Sequence, residues 1–245
     1  MMSTTTKGLV IREQTIGESD RLVTLLTADY GLVRAFVRGA KQIKNRLASS
    51  TSLFAYSDFS LYRGKDAFVV DNASPIEVFF DLRFDIVKLS LAQYFAQLAY
   101  EVGEEEQPAA EMLSVMLNSL HLLCNSSKDI RLIKAAVEFR LMSLGGYMPS
   151  ILACAKCSTY ETDLMYFDTL NGLIYCENCG VPGSTPCPKN VITAIRFICL
   201  TEPKKIFSFT LSEENLNLLC DISEKYMMSR IQKNLPTLAF YKGIL

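Results

Sequence analysis

The chain has 245 residues, enough to bury a sizeable core in one large domain or in two or three small ones. Apolar residues make up 49% of it and charged residues 21%, an ordinary globular balance, and no uncharged apolar run approaches the roughly 18 residues of a membrane span. The formal net charge is −1, so the overall charge does not point to nucleic acid, and only the distribution of charge can.

The first 80 or so residues carry the pattern of short strands joined by polar turns. Residues 31–38 alternate, with Arg34, Phe36 and Arg38 on one side of the predicted strand and small apolar residues on the other. A second alternating stretch covers residues 52–61 and leads into a polar turn. Because closure removes exposed sheet edges, several short strands of this kind predict a small barrel.

The pattern changes near Pro75, beyond which apolar residues recur at helical spacing. Ser127 or Asp129 is a candidate N-cap for the third of the predicted helices, and the glycine pair at 145–146 ends it. The predicted helices cover residues 87–102, about 109–124, 130–144, about 191–200 and about 212–231.

Two cysteine pairs, Cys154/Cys157 and Cys176/Cys179, are separated by 18 residues. This C-x-x-C spacing is typical of a closed tetrahedral zinc site, which is structural because no position is left open for water. Disulfides or plain buried thiols are the alternative. The chain opens without an apolar signal segment, so we expect a reducing cytoplasm and favour zinc.

Two further residues bear on the predicted zinc site. Gly180 directly follows the second pair and suits a turn that needs positive φ. Cys187 is close enough in sequence to replace Cys176 or Cys179 as a ligand, and the spacing alone leaves this alternative open.

Basic residues concentrate in one stretch of the predicted barrel. From Tyr30 to Ser57 there is no acidic residue, whereas five cations lie there: Arg34, Arg38, Lys41, Lys44 and Arg46. Such a stripe is typical of phosphate recognition without sequence preference, and a solvated strand and loop is the alternative. Phe36 either stacks a base or belongs to the core, and we favour the core.

Catalytic motifs are missing. The single histidine, His121, excludes an H-E-x-x-H zinc site, and there is no P-loop, dinucleotide-binding or nucleophile-elbow motif. We therefore interpret the chain as a binding protein and not as an enzyme.

Three segments together resemble the bacterial RecO recombination-mediator family. They are residues 17–24 with 30–41, residues 139–149 (FRLMSLGGYMP), and the first cysteine pair that follows. The similarity in order and spacing covers nearly the whole chain. It implies an α+β protein, in which an N-terminal OB-fold β-barrel is followed by a helical domain with an inserted four-cysteine module that binds structural Zn²⁺. The corresponding predicted segments are 1–80 for the barrel, 81–151 and 189–245 for the helical domain, and 152–188 for the zinc module.

The resemblance also implies a function. A protein of this family binds single- and double-stranded DNA, anneals complementary strands, and acts with RecR to help RecA replace the single-strand-binding protein SSB during recombinational DNA repair. The expected location is the cytoplasm, in association with the nucleoid. The family's basic barrel face corresponds by position to the five cations named above. Its pocket for the SSB tail has Arg131 and Lys134 as the nearest basic candidates, and an ordinary solvated helix face is the alternative.

Two other function classes stay open at this point. The first is a structural adaptor that binds only proteins through its barrel and zinc-stabilised helices, and salt-sensitive binding to an oligonucleotide separates it from a DNA-binding protein. The second is a nucleic-acid enzyme with an unrecognised carboxylate site, for which turnover of DNA with Mg²⁺ is the test.

Overall fold

The computed structural model describes residues 3–40, 45–65 and 67–245. Contacts divide the chain into two compact units, one made of residues 1–126 and 236–245 and the other of residues 127–235. These units do not follow the four segments predicted from the sequence, because the first two long helices and the last helix group with the barrel. The predicted segments remain a proposal for the domain organisation.

The first unit begins with a closed five-stranded barrel in the order β1-β2-β3-β5-β4, which is the predicted OB-fold. The strands are β1 Ser3–Ile16, β2 Asp20–Thr27, β3 Gly31–Val37, β4 Ala55–Arg63 and β5 Phe68–Val78. All neighbouring strands are antiparallel except β3 and β5, whose described residues pair in parallel at two positions.

Alternation along the strands fills the barrel, as predicted. Val33, Ala35 and Val37 of β3 join inward-facing residues of the other strands in one buried cluster. Pro75 does not end β5, which continues to Val78, because Pro75 lies opposite Ser57 at a register shift. A bulge tolerates the missing N–H of proline.

The helices of the first unit are α1 Ile86–Val102, α2 Ala110–Asn125 and α6 Pro236–Gly243. The Asp85 carboxylate accepts hydrogen bonds from the backbone N–H groups of Val87 and Lys88, which caps α1. α6 packs on α1, with the Thr237 hydroxyl donating to Gln97 Oε1 at 2.5 Å. The predicted helices at 87–102 and about 109–124 are confirmed as α1 and α2. The sequence analysis did not predict α6.

The second unit contains helices α3 Ile130–Leu144, α4 Lys189–Leu200 and α5 Glu213–Ile231, together with strands β6 Leu164–Asp168, β7 Leu173–Cys176 and β8 Thr185–Pro188. The three strands form a sheet in the order β7-β6-β8. Of the two predicted caps for α3, Asp129 is the one found, since its carboxylate accepts from the Arg131 N–H at 2.8 Å.

Three buried aromatic side chains join the small sheet to the helices of this unit. Phe139 of α3 stacks on Tyr226 of α5 with ring centroids 5.9 Å apart, and Phe167 of β6 meets both rings edge-on. Edge-to-face and stacked aromatic pairs add to the free energy gained from burial. The fold of the cysteine-bearing sheet is therefore coupled to the packing of α3 and α5.

Candidate metal centre and nucleic-acid interface

The four predicted cysteine ligands converge. The Sγ atoms of Cys154, Cys157, Cys176 and Cys179 all lie within 4.8 Å of one another. Tetrahedral zinc with Zn–S bonds of about 2.3 Å places its sulfurs about 3.8 Å apart, so the cluster has the size of a four-thiolate site.

Backbone hydrogen bonds shape the first cysteine pair into a tight turn. The Ser158 N–H donates to the Cys154 carbonyl at 2.9 Å, and the Cys154 N–H donates to the Thr159 carbonyl at 2.8 Å. Ser158 takes the left-handed conformation that closes the turn, with φ +61°. The Ala155 N–H donates to the Ile174 carbonyl of β7 at 2.8 Å, which fixes this turn against the strand that ends in the second pair.

The second pair begins at the last residue of β7 and continues through a 3₁₀ turn, Glu177–Cys179. The prediction that Gly180 supplies a positive φ is wrong, because its φ is −49°. Glycine is nevertheless favoured there for space, since a Cβ atom would lie 3.3 Å from the Tyr166 ring. The left-handed residue of this site is Ser158, in the first turn.

The donor set fits a dication. Burial raises the pKa of the Cys154 thiol, but backbone N–H groups of the two cysteine turns outweigh burial and lower this pKa to about 6. The sulfurs of Cys157 and Cys176 raise the pKa of Cys179 to about 12. Four adjacent thiols can all ionise only when a cation compensates their charge, and Zn²⁺ is the cation that four thiolates prefer.

Cys187 lies outside this cluster. Cys176 and Cys187 are both paired with Met165, one from each side of β6, so a whole strand separates them. Burial raises the pKa of Cys187 to about 12, and its Sγ donates to the Thr185 carbonyl at 3.3 Å. The structure therefore favours the four predicted ligands over a set that includes Cys187.

Arg196 of α4 anchors the chain on both sides of the first cysteine turn. Its guanidinium donates to the Ile151 carbonyl at 2.7 Å and to the Tyr160 carbonyl at 2.6 Å, and it stacks over the Tyr160 ring at 4.3 Å. The Arg196 side chain is buried, so little water competes with these charge-assisted hydrogen bonds. The sequence analysis did not single out this residue.

The structure describes three of the five residues of the predicted basic stripe. Arg34, Arg38 and Arg46 are exposed, and no carboxylate within residues 3–40, 45–65 or 67–245 lies within ion-pair distance of them. Lys41 and Lys44 fall outside the described residues. The three described arginines are thus exposed cations outside the ion pairs of the described residues.

Strand register adds a cation that sequence reasoning missed. Arg12 of β1 is opposite Thr24 of β2, and Thr24 is opposite Arg34 of β3, so the three residues form one row across the outer face of the barrel. Arg12 and Arg34 line a common cavity of about 220 Å³. The Arg12 guanidinium also lies 5.3 Å from the Tyr100 ring centroid, which orients it.

The next row on this face is Gln14, Leu22 and Phe36. Phe36 is half-buried and does not belong to the buried cluster inside the barrel, so the preference for a core position is wrong. We call these two rows the open barrel face: Arg12, Thr24, Arg34, Gln14, Leu22 and Phe36.

The two residues predicted to contact a partner are both engaged within the second unit. Arg131 donates to Asp129 and to Glu213, each at 2.6 Å, and these bonds lower the pKa of both carboxyl groups. Lys134 is only 6% exposed, and its Nζ pairs with Glu138 at 2.7 Å and Glu224 at 2.8 Å. The i,i+3 spacing therefore does not place two available cations on the surface.

Comparison with known proteins matches both halves of the chain. The family model described as "Recombination protein O N terminal" matches residues 1–79, and "Recombination protein O C terminal" matches residues 83–239. The chain belongs to this family. Its relatives include the DNA repair protein RecO of Acetivibrio thermocellus, which is 34% identical over 98% of this chain and 96% of the relative.

Other relatives with the same name extend this similarity. The DNA repair protein RecO of Alkaliphilus metalliredigens is 30% identical over 77% of this chain and 76% of the relative. That of Caldicellulosiruptor bescii is 26% identical over 98% of both chains. These matches confirm, at the level of the family, the resemblance that the sequence analysis found in residues 17–24, 30–41, 139–149 and the first cysteine pair.

Among the residues that the structure describes, no helix combines the length and the apolar character required to cross a membrane.

Proposed function

We propose that this chain is a non-enzymatic DNA-binding protein of recombinational repair that contacts DNA phosphates through the open barrel face. The observation that carries the proposal is the row Arg12–Thr24–Arg34, in which two exposed guanidinium groups flank one small polar cavity. Guanidinium forks match phosphate oxygens bidentately, and a hydroxyl between them adds a further donor. Arg38 and Arg46 extend the positive charge beyond this row.

The open barrel face also suits single strands. Phe36 lies in the row beside Arg34, where an unstacked base can rest on its half-buried ring while the arginines hold the backbone. Binding by charge and stacking needs no particular sequence, which suits strand annealing.

Replacing Arg12 and Arg34 together by Ala is expected to weaken binding to single-stranded DNA without lowering the stability of the barrel. Exposed cations contribute little to folding, whereas each lost phosphate contact reduces the slope of log K against log salt concentration by roughly 0.7. The slope should therefore fall by about 1.4 in fluorescence anisotropy titrations across a salt series.

The matched control is Arg83→Ala with Lys88→Ala, which removes the same charge from residues outside the barrel strands. This variant is expected to keep most of the wild-type slope. A control slope as low as that of the Arg12/Arg34 variant would show that net charge, and not the open barrel face, determines binding.

The same proposal places the chain among recombination mediators that act with RecR, anneal complementary strands and help RecA replace SSB on DNA. Family membership supports this role, and the absence of catalytic motifs in the sequence agrees with it. The expected cytoplasmic and nucleoid location also stays a prediction.

We expect the purified chain to accelerate annealing of complementary oligonucleotides, with and without SSB, in the absence of nucleoside triphosphates. The oligonucleotides should keep their length after incubation with Mg²⁺. Cleavage or other turnover of the DNA would contradict the non-enzymatic proposal, and annealing at the uncatalysed rate would contradict the mediator role.

For the four-cysteine cluster we propose a structural Zn²⁺ held by Cys154, Cys157, Cys176 and Cys179. A contact with the SSB tail at Arg131 and Lys134 stays a sequence-based prediction. The carboxylates that pair with both cations leave them little net charge to offer an acidic peptide.

A further inference from the structure

Arg34 also lines a second cavity of about 540 Å³, beside the beginning of β3. This volume falls within the range of small-ligand pockets. One side is formed by β3 and the Tyr30 turn before it, and the other by Arg63–Lys65 at the end of β4 and by Ala67 and Phe68 at the start of β5. Its lining side chains are cationic, acidic and aromatic together: Arg34, Arg63, Lys65, Glu105, Glu106, Tyr30 and Phe68.

The acidic part of the cavity is held in place by the backbone. The loop between α1 and α2 pairs with the start of β3, where the Leu32 N–H donates to the Glu104 carbonyl at 2.9 Å and the Glu106 N–H donates to the Tyr30 carbonyl at 3.0 Å. Gly31 permits this close approach, because a Cβ atom there would lie 2.2 Å from the Glu104 oxygen.

The charges of the cavity do not neutralise one another directly. Across the described part of the chain, no ion pair within 4.0 Å joins Glu105 or Glu106 to the arginines or the lysine of the cavity. Hydrogen-bond donors and acceptors therefore both line one cavity. A phosphate is a poor ligand for such a site, because the two carboxylates repel it.

We infer that this cavity binds an unstacked guanine base of a single DNA strand that crosses the open barrel face. Guanine presents the acceptors O6 and N7, which Arg and Lys bind, and the donors N1–H and N2–H₂, which a carboxylate accepts. Tyr30 is 40% exposed and offers a ring on which the base can stack. The inference rests on the proposed DNA binding and adds a base preference to it.

Anisotropy titrations with a (dT)25 oligonucleotide and with the same strand carrying one central dG, dA or dC test this site. The dG strand is expected to bind at least roughly five-fold more tightly than (dT)25, because a good bidentate base contact discriminates at about that level or more. Equal affinities for the four strands would overturn the inference, whereas failure of all four to bind would overturn the proposed DNA binding instead.

The variant Glu105→Gln with Glu106→Gln is nearly isosteric and removes both negative charges. It should lose the preference for dG while its affinity for (dT)25 stays unchanged or rises, because a repulsion of phosphate is removed. The control is Glu104→Gln, in the same loop but with a side chain that does not line the cavity. Retention of the full dG preference in the double variant would overturn the assignment of the two carboxylates.

Calorimetry with dGMP separates a base within a strand from a free nucleotide. We expect no measurable heat at micromolar dGMP, because the open barrel face supplies most of the affinity for a strand. Saturable binding of dGMP, together with no gain for the dG strand, would overturn the inference and assign the cavity to a free nucleotide.

Discussion

Loss of one zinc ligand is expected to unfold the cysteine module and to destabilise the whole second unit. Cys176→Ser replaces a buried sulfur at the end of β7 by a hydroxyl, which is a poor zinc ligand. Apparent zinc-binding free energies in small modules are on the order of 10 kcal/mol, and loss of a metal is among the few changes that cost more than about 4 kcal/mol.

The effect should extend beyond the module, because its sheet completes a helical core. β7 pairs with β6, and Phe167 of β6 packs edge-on against Phe139 and Tyr226. A sheet that loses its metal no longer holds Phe167 in that position. Near-ultraviolet circular dichroism should therefore show loss of aromatic packing at the same urea concentration at which the module unfolds.

This prediction is tested by measuring zinc content and urea-induced unfolding of wild type, Cys176→Ser and Cys187→Ala. Wild type and Cys187→Ala should carry about one zinc per chain, whereas Cys176→Ser should carry far less. Cys187 is the matched control because it is equally buried and flanks the same residue of β6 from the other side. Wild-type stability in metal-free Cys176→Ser would refute a structural zinc, and zinc loss in Cys187→Ala would place that sulfur in the site.

The features that could be predicted from the sequence depend on local pattern. Inward alternation in β3, helical spacing in α1 and the C-x-x-C pairs all involve residues within a few positions of one another. The segments that resemble the RecO family then fixed the fold class. For the same reason the cysteine ligands could be predicted without knowing how the two turns meet.

The row of Arg12, Thr24 and Arg34 could not be predicted, because it depends on register. Arg12 joins β3 only through β2, and a register shift between Val10 and Arg12 moves it onto the outer face. Strict alternation along β1 cannot reveal such a bulge. The pairing of β1, β2 and β3 is what identifies Arg12 as a candidate DNA contact.

The burial of Lys134 could not be predicted from the sequence, for a related reason. Its spacing from Arg131 describes a shared helix face but not what covers that face. The covering element is α5, whose Glu224 lies 90 residues away in sequence. Burial of a lysine by distant acids is decided by tertiary packing, and the local sequence gives no sign of it.

Replacing Lys134 by Met is expected to destabilise the second unit by about 3–5 kcal/mol, because it leaves the carboxylate of Glu138 buried without its cation. Glu138 has no exposed surface, and the Ser223 hydroxyl donates to its carboxylate at 2.6 Å. Arg131→Gln removes a more exposed cation from the same helix and should cost about 1 kcal/mol or less.

The pH dependence follows from the direction of the pKa shift. Burial lowers the pKa of Lys134, but the neighbouring carboxylates of Glu138 and Glu224 outweigh burial and raise it above the ordinary value of 10.5. The pair therefore stabilises the fold fully below pH 10.5 and loses this contribution as the pH rises through the raised pKa. The difference in stability between wild type and Lys134→Met should therefore shrink above pH 10.5.

Urea titrations of wild type and Lys134→Met at pH 8 and at about pH 11 measure the destabilisation and its pH dependence. The double variant Lys134→Met with Glu138→Leu identifies their source. Because buried ion pairs can often be replaced by apolar residues without loss, the double variant should recover most of the stability at pH 8. A single variant as stable as wild type at both pH values would contradict the buried pair. It would instead make Lys134 available to a partner, so this measurement has to precede any test of Lys134 in binding the SSB tail.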